Sequence, residues 1–254
     1  MNFTKSVIRI KNVSNYDEDI FVYHLILNDL SEISELIEKE MSDIWNPVIN
    51  YSFAEVKREI YKLILSKNDK QKRGICAEFF MHIFLRYIGY TQECLFSNLE
   101  ENSMKKGFDG VYEFSNDFWI AESKCGNKVK IKHKDKIREA LDDIETKVSD
   151  TSRNNPWQNA VNHIVIRHNG NDYNNSLSKR IANLSKEYAD NIPHTSSEFN
   201  LIPTSTLFIN DYQSDDDIKK DIEAILVGRK IKKMAVLCIN NNIYNEFIKY
   251  LEEK

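Results

Sequence analysis

The segment KGFDGVYEFSNDFWIAESKCG, residues 106–126, carries the strongest structural signal in this chain of 254 residues. Residues 108–114 and 118–124 are rich in apolar and aromatic side chains, and the residues between them, Ser115-Asn116-Asp117, suit a tight turn. This pattern predicts two antiparallel strands that are joined as a hairpin. Gly126 and Asn127 indicate a second turn directly after it. We interpret the rest of the chain around this hairpin.

Three chemically reactive side chains lie on the predicted hairpin. Asp109 stands at the start of the first strand, and Glu122 and Lys124 lie two residues apart on the second. Because side chains alternate across a strand, Glu122 and Lys124 project from the same face and can converge on one point. Mg²⁺ (or Mn²⁺) prefers oxygen ligands, which Asp109, Glu122 and the Ser123 carbonyl could supply. Such an ion activates water and neutralises phosphate oxygens, so the residues predict metal-dependent cleavage of a phosphodiester. Lys124 would orient or deprotonate the attacking water, or hold the scissile phosphate.

A glutamate and a lysine two residues apart are not specific by themselves. The same spacing occurs at Glu55–Lys57, Glu145–Lys147 and Glu252–Lys254, all on amphipathic helical patterns where we expect the charges to face solvent. Glu122–Lys124 differs because it follows an apolar strand and has Asp109 thirteen positions upstream of the glutamate. The alternative interpretation is a surface hairpin on which these three side chains form salt bridges without catalysis.

A helical pattern over residues 71–88 places a fourth charged group in the core. Apolar residues nearly encircle this helix, which predicts burial between layers, and Glu78 lies in its middle. An unpaired buried carboxylate costs on the order of several kcal/mol, so Glu78 needs a cation, a hydrogen-bond donor or a proton. Two interpretations stay open: a structural acid paired with Arg73 or Lys124, and a further acid of the metal site. We expect His82, one turn along, to be a packed core histidine.

The rest of the chain predicts alternating strands and helices, as in an α/β protein. Strands are expected at residues 5–11, 20–27, 92–96, 205–209 and 234–239, and a strand with a basic face around Val129 and Ile131. Helices are expected at residues 30–44, 53–65, 137–148, 176–188, 216–227 and 243–251. Residues 157–168 fit a helix, or a strand at 163–167. We divide the chain into an N-terminal extension of strands and helices packing on the core, residues 1–69, and the core with a C-terminal α/β extension, residues 70–254.

The overall charge is not typical of a protein that binds nucleic acid on its own. The net charge is −4 and the pI about 5.9, whereas such proteins are usually basic. Positive charge is local, and the candidates for contact with a nucleic-acid backbone are Lys105, Lys106, Lys128, Lys130 and Lys132. The alternatives are a mobile loop for the first two lysines and a solvated helix face for the run that follows Lys124.

Cysteine spacing and hydropathy limit the kind of protein further. Cys76, Cys94, Cys125 and Cys238 form no CxxC pair, so we expect free thiols in apolar surroundings and neither a zinc site nor a disulfide framework. No apolar run approaches the roughly 20 residues of a membrane span. Charges interrupt the N-terminus MNFTKSVIRIKN, so no secretory signal is expected. The expectation is a cytoplasmic protein without membrane contact.

The candidate residues occur in an order that resembles the PD-(D/E)xK nuclease superfamily: a helix glutamate, Glu78, a strand-start aspartate, Asp109, and then Glu122-x-Lys124. The resemblance covers about residues 71–166, in the order helix, three strands, helix, strand. It implies a restriction-endonuclease-like core, a mixed sheet flanked by helices. It also implies that Asp109 and Glu122 are metal ligands, Lys124 the catalytic lysine and Glu78 an acid that positions a metal or its water. Phe108 replaces the proline of the superfamily name, a frequent variation.

A narrower resemblance rests on the motifs KRGICAEFF (72–80), FDG (108–110) and ESKCG (122–126). With an N-terminal extension in a chain of this length, these motifs resemble the nuclease subunit of the Hachiman antiphage defence system. That resemblance implies DNA as the substrate and a partner helicase that holds the nucleic acid, which fits the acidic net charge. Two other functions stay open. One is a restriction-type endonuclease acting alone, although no helix-turn-helix or zinc module is visible to read its sequence. The other is a non-catalytic interaction module that kept the fold.

Overall fold

The computed structural model describes residues 3–10, 20–97, 107–168 and 176–253. Within these ranges the strands are β1 (Thr4–Ile10), β2 (Ile20–Leu27), β3 (Thr91–Gln92), β4 (Gly110–Phe114), β5 (Asp117–Gly126), β6 (Asn200–Leu207) and β7 (Lys233–Asn241). The α-helices are α1 (Ser34–Trp45), α2 (Phe53–Leu65), α3 (Asp69–Tyr87), α4 (His133–Ser149), α5 (Pro156–Arg167), α6 (Ser176–Ala189), α7 (Asp215–Leu226) and α8 (Tyr244–Glu252). The expected α/β class is confirmed.

The strands form one mixed sheet in the order β1-β2-β7-β6-β5-β4-β3. The central strands β2, β7, β6 and β5 run parallel, whereas β1 on one side and β4 and β3 on the other pair antiparallel. The expected hairpin is confirmed, because β4 and β5 pair from Gly110↔Ala121 to Phe114↔Asp117. Ser115 and Asn116 have φ angles of 53° and 63°, the left-handed conformation that a two-residue hairpin turn of type I′ requires.

Helices cover both faces of the sheet and divide the apolar core into two layers. Helices α4, α5, α6 and α7 pack on one face, which we call the α4 face, and α1, α2, α3 and α8 pack on the other, which we call the α3 face. Along β5, Ile120 belongs to the α4 face and Ala121 to the α3 face. Since side chains alternate, Glu122 and Lys124 project from the α4 face with Ile120.

The helices on the α3 face begin where local chemistry satisfies their first amide groups. Ser52 and Glu55 form a capping box at the start of α2, and Asn68 and Gln71 form another at the start of α3. Helix α2 has the predicted bounds, and α3 is buried over most of its circumference, as its apolar pattern predicts.

Two predicted strands differ in the structure. Strand β3 ends at Gln92, because the amides of Phe96 and Ser97 donate to carbonyl oxygens at the end of α1 instead of to a strand. The residues around Val129 and Ile131 form a turn, closed by a hydrogen bond from the Ile131 amide to the Lys128 carbonyl at 2.9 Å. Val129 is 70% exposed, so the alternation of lysines and apolar residues there did not indicate a half-buried strand.

The segment that fitted either a helix or a strand is helical in the structure, as α5. Asn155 accepts hydrogen bonds from the amides of Trp157 and Gln158, and Pro156 occupies the first turn, so the start of α5 is well defined. The strand that lies parallel to β5 is β6, after the pair α5 and α6. Of the two interpretations of this segment the helix is confirmed, and the strand alternative at residues 163–167 was wrong.

The N-terminal strands belong to the same sheet as the hairpin. Residues Phe21 to Leu27 of β2 pair in parallel with β7, and β1 forms the outer strand beside β2. The division of the chain between residues 69 and 70 stays a prediction. Of the helices in the described ranges, none is both long and apolar enough to pass through a lipid bilayer.

Candidate active site

The candidate site lies where β4 and β5 separate. Their pairing ends at Gly110↔Ala121, so Asp109 precedes the ladder while Glu122 and Lys124 continue along β5 beside β6. Asp109 Oδ2 accepts a hydrogen bond from the Ser123 amide at 2.8 Å. This bond holds the aspartate next to the Glu122-Ser123-Lys124 segment, so the side chains that the sequence predicted to converge are brought together.

Glu122 is the most deeply buried acid of the cluster, with 2% of its side chain exposed. Lys124 Nζ donates to its Oε1 at 3.0 Å, and Lys147 Nζ donates to its Oε2 at 2.6 Å. Each carboxylate oxygen therefore has an ammonium partner. Lys147 comes from α4, whose packing on the sheet closes the site from the α4 face.

Asp143, one turn before Lys147 on α4, completes this network. Its Oδ2 accepts from Lys124 Nζ at 2.5 Å and lies 3.4 Å from Lys147 Nζ. Neither α4 residue was predicted from the sequence to belong to the site. Lys147 was expected on a solvent-facing helix surface, which was wrong, since the side chain turns toward the buried Glu122. The available signal was the i, i+4 spacing of Asp143 and Lys147 on the helix that follows the hairpin, but that spacing is also usual on exposed helix faces.

Burial and the charges of neighbouring groups together determine the pKa values in the cluster. Burial, and then the nearby charge of Asp109, raise the pKa of Glu122 to about 8 despite the two lysines. Burial also raises the pKa of Asp109, and the charge of Glu78 adds to this effect. Burial alone would lower the pKa of Lys124, but the carboxylates of Glu122 and Asp109 outweigh it and raise that pKa. The lysines thus stay charged, while Glu122 and Asp109 hold a proton more readily than ordinary carboxyl groups.

Glu78 reaches the same region from α3. Its charge acts on Asp109, and its Oε1 lies 3.7 Å from His82 Nε2. His82 is fully buried, and its Nδ1 is hydrogen-bonded to the Tyr112 hydroxyl, so the ring is part of the core as expected. This position fits Glu78 both as a structural acid and as a fourth acid beside Asp109, and its role stays a prediction.

The start of α4, which carries Asp143 and Lys147, is fixed to the sheet by a buried histidine. His133 Nδ1 lies 2.8 Å from Ser205 Oγ, and its Nε2 lies 2.7 Å from Asn240 Oδ1. Burial lowers the pKa of His133 to about 4, so the ring is neutral at pH 7. A neutral ring can accept from the serine and donate to the asparagine, which satisfies both partners without burying a charge.

The donor set suits a hard divalent cation, although it is not arranged as a finished metal site. In the described ranges, no three carboxylates, histidines or cysteines are grouped closely enough to hold an ion. Both carboxylate oxygens of Glu122 are instead engaged by Lys124 and Lys147. Asp109 and Glu122 offer oxygen ligands of the kind Mg²⁺ prefers, and an ion there would take over part of what the ammonium groups now do.

The predicted nucleic-acid contacts lie beside the site only in part. Lys128 and Lys130 are exposed on the turn after β5, and Lys132 is exposed just before α4; within the described ranges they form no ion pair. Lys134 and Lys136, by contrast, pair with Asp221 and Glu139. Lys105 and Lys106 lie outside the residues that the structure describes.

A mixed sheet between two helical layers, with acids and lysines gathered where a hairpin opens, defines an α/β protein with a nuclease-like core. The HamA family model matches residues 10–254. The chain therefore belongs to the HamA family, the HamA protein of the Hachiman system, which confirms the narrower resemblance. This family supports a role in antiphage defence and implies a partner within that defence system. No curated protein matches the chain significantly.

Proposed function

We propose that this protein is a Mg²⁺-dependent DNA nuclease of the PD-(D/E)xK type. In this proposal it is the effector of a Hachiman defence system and acts with a helicase partner. The observation that carries the proposal is the buried carboxylate of Glu122, which lies with Asp109, Asp143, Lys124 and Lys147 in one charged network. Salt bridges on a solvated surface hairpin would not need a glutamate with 2% exposure.

The charge of the site supports a divalent cation. Four acids, Asp109, Glu122, Asp143 and Glu78, face two ammonium groups, so the fully ionised network has a net charge of −2. Burial first, and then the neighbouring acids, raise the pKa values of Asp109 and Glu122. A single divalent ion would neutralise the net charge and lower both pKa values, because a bound cation favours the ionised carboxylates.

In this proposal Asp109, Glu122 and the Ser123 carbonyl hold the ion, and Glu78 positions it or its water. When bound, the ion supplies an activated water and neutralises charge on the phosphate. Lys124 is fixed by Glu122 and Asp143 and keeps its proton, so its ammonium is suited to orient the water or hold the scissile phosphate. Lys128, Lys130 and Lys132 would contact the DNA backbone next to the site.

Cleavage of plasmid and linear DNA by the purified chain tests this proposal. The wild type is incubated with Mg²⁺ or Mn²⁺, alone and with the helicase partner, beside Asp109→Ala and Lys124→Ala. Lys186→Ala, an exposed lysine on α6, is the matched control. We expect cutting by the wild type and the control, and none by the two site variants or in EDTA.

Equal cutting by all four proteins would assign the activity to a contaminant or to another site. If none of them cuts in the presence of the partner, the protein acts as a binding module and the proposal fails. Cutting of DNA by the wild type alone, at a defined sequence, would favour a restriction-type enzyme.

A further inference from the structure

A polar cleft lies at the carboxyl ends of the parallel strands, beyond the candidate active site. Its volume is about 410 Å³, and its lining residues are Asp69, Arg73, Asn127, Phe208, Asn242, Tyr244 and Asn245. Asn127 follows β5, Phe208 follows β6 and Asn242 follows β7 directly. In open α/β sheets, ligands bind in crevices outside the carboxyl ends of the strands.

The side chains that line the cleft are two aromatic rings, three amides, one cation, Arg73, and one carboxylate, Asp69. The rings of Tyr244 and Phe208 meet edge to face with their centroids 5.4 Å apart, and the Arg73 guanidinium lies 6.0 Å from the centre of the Tyr244 ring. Within the described ranges Arg73 makes neither a hydrogen bond nor an ion pair. Its five N–H donors are thus available to an anion that enters the cleft.

Three asparagines surround these rings. The side-chain amides of Asn127, Asn242 and Asn245 form no hydrogen bonds within the part of the chain that the structure describes, and all three are exposed. Each amide offers both a donor and an acceptor, the combination that recognises the edge of a nucleobase. Aromatic rings beside such groups bind unpaired bases by stacking.

The position of the cleft relates it to the proposed cleavage site. Asn127 is three residues after Lys124, which corresponds to about 10 Å along a parallel strand. The exposed Lys128 and Lys130 follow directly. Lys124 projects from the α4 face, whereas Arg73 and Tyr244 belong to helices of the α3 face, so a DNA strand must cross the carboxyl edge of the sheet to pass from Lys124 into the cleft. A base can enter only if it is not paired.

We propose that the cleft binds one unpaired nucleotide of a DNA strand. The base stacks on Tyr244, its edge contacts the asparagine amides, and Arg73 contacts its phosphate. The choice of DNA as ligand rests on the proposed nuclease function. The consequence is a preference for DNA with single-stranded segments over blunt duplex.

The test measures binding without cutting. A short fluorescein-labelled oligothymidylate and a blunt hairpin duplex are titrated with the purified full chain in EDTA, and fluorescence anisotropy is recorded. We expect the wild type to bind the single strand more tightly than the hairpin. Tyr244→Ala should weaken binding of the single strand about five- to 150-fold, the equivalent of 1–3 kcal/mol for one stacked base, and leave hairpin binding unchanged.

Tyr244→Phe, which keeps the ring, should bind like the wild type, whereas Arg73→Gln should also weaken single-strand binding. Tyr87→Ala is the matched control, because Tyr87 is a partly exposed tyrosine on the same helix as Arg73 and lies about 21 Å along its axis. Circular dichroism verifies that each variant is folded. Because Tyr244→Ala and Arg73→Gln change the cleft independently, one of them can still test the inference if the other is unstable.

Several outcomes would overturn the inference: no single-strand binding by the wild type, equal losses for single strand and hairpin, or variants that bind like the wild type. Failure of the proposed function is distinguishable from this. If the wild type binds single strands through Tyr244 but cuts no DNA with its partner, the nuclease proposal fails, while the inference that the cleft binds an unpaired nucleotide is upheld. If the wild type cuts and Tyr244→Ala binds single strands normally, the cleft inference fails alone.

Discussion

Replacing Lys147 with methionine tests whether the buried ion pair of the site exists in solution. Lys147→Met keeps a long apolar side chain on α4 but removes the ammonium that lies 2.6 Å from Glu122 Oε2. Removing one partner of a buried pair costs about 3–5 kcal/mol. Lys124 still donates to Oε1, and because the pKa of Glu122 is about 8, protonation limits the charge that is left unpaired at pH 7. We therefore expect the free energy of unfolding to fall by about 3 kcal/mol, the lower end of this range.

The assay is urea unfolding at pH 7 in EDTA, followed by circular dichroism. Lys136→Met is the matched control, because Lys136 lies on the same helix and pairs with the exposed Glu139 at 2.5 Å. A pair of this kind contributes only about 0.3–0.5 kcal/mol. Mn²⁺ should stabilise Lys147→Met more than the wild type, since an ion at Glu122 replaces the missing charge. If Lys147→Met lowers the free energy of unfolding no more than Lys136→Met does, the network around Glu122 is not formed as described.

Two further predictions concern stability. Burial lowers the pKa of His133 from 6.5 to about 4. Between these pH values the unfolded chain binds a proton at this histidine and the folded chain does not, so the free energy of unfolding falls as the pH decreases from 6.5 to 4. The wild type should lose about 3 kcal/mol more than His133→Gln over this range in urea unfolding, and parallel curves would refute the buried neutral ring. Gly74→Ala should raise the melting temperature by about 2–4 °C, because alanine favours the helix by about 1 kcal/mol and an added Cβ meets no atom within 4 Å. A lower melting temperature would show that the space beside Gly74 is filled.

Local patterns predicted the hairpin and most helices because their causes are local. The turn at Ser115 and Asn116 needs residues that accept positive φ, and the capping groups at Ser52 and Asn68 lie within one turn of the helices they begin. The run HIVIR, residues 163–167, was ambiguous for the opposite reason. A short apolar run fits both a strand and a buried helix. The side chain of Asn155 caps the first turn of α5 and favours the helix.

Only part of the candidate site could be predicted from the sequence. Asp109, Glu122 and Lys124 lie close together along the chain, and the alternation of one strand predicts that two of them share a face. Lys147 and Asp143 meet them only because α4 packs across β5 and β6, with His133 bonded to Ser205 on the neighbouring strand. Such a contact depends on how helix and sheet pack, which no spacing within α4 encodes. The same holds for the cleft, whose walls come from the ends of three strands and the beginnings of α3 and α8.

The binding of a divalent cation tests the central claim most directly, because the whole proposed chemistry depends on it. Free Mn²⁺ would be measured by electron paramagnetic resonance during titration of the wild type, Glu122→Gln and the control Lys186→Ala. The account predicts that the wild type and the control bind at least one Mn²⁺ per chain and that Glu122→Gln loses this binding. Equal binding by all three proteins, or none by the wild type, would contradict a metal centre at Asp109 and Glu122.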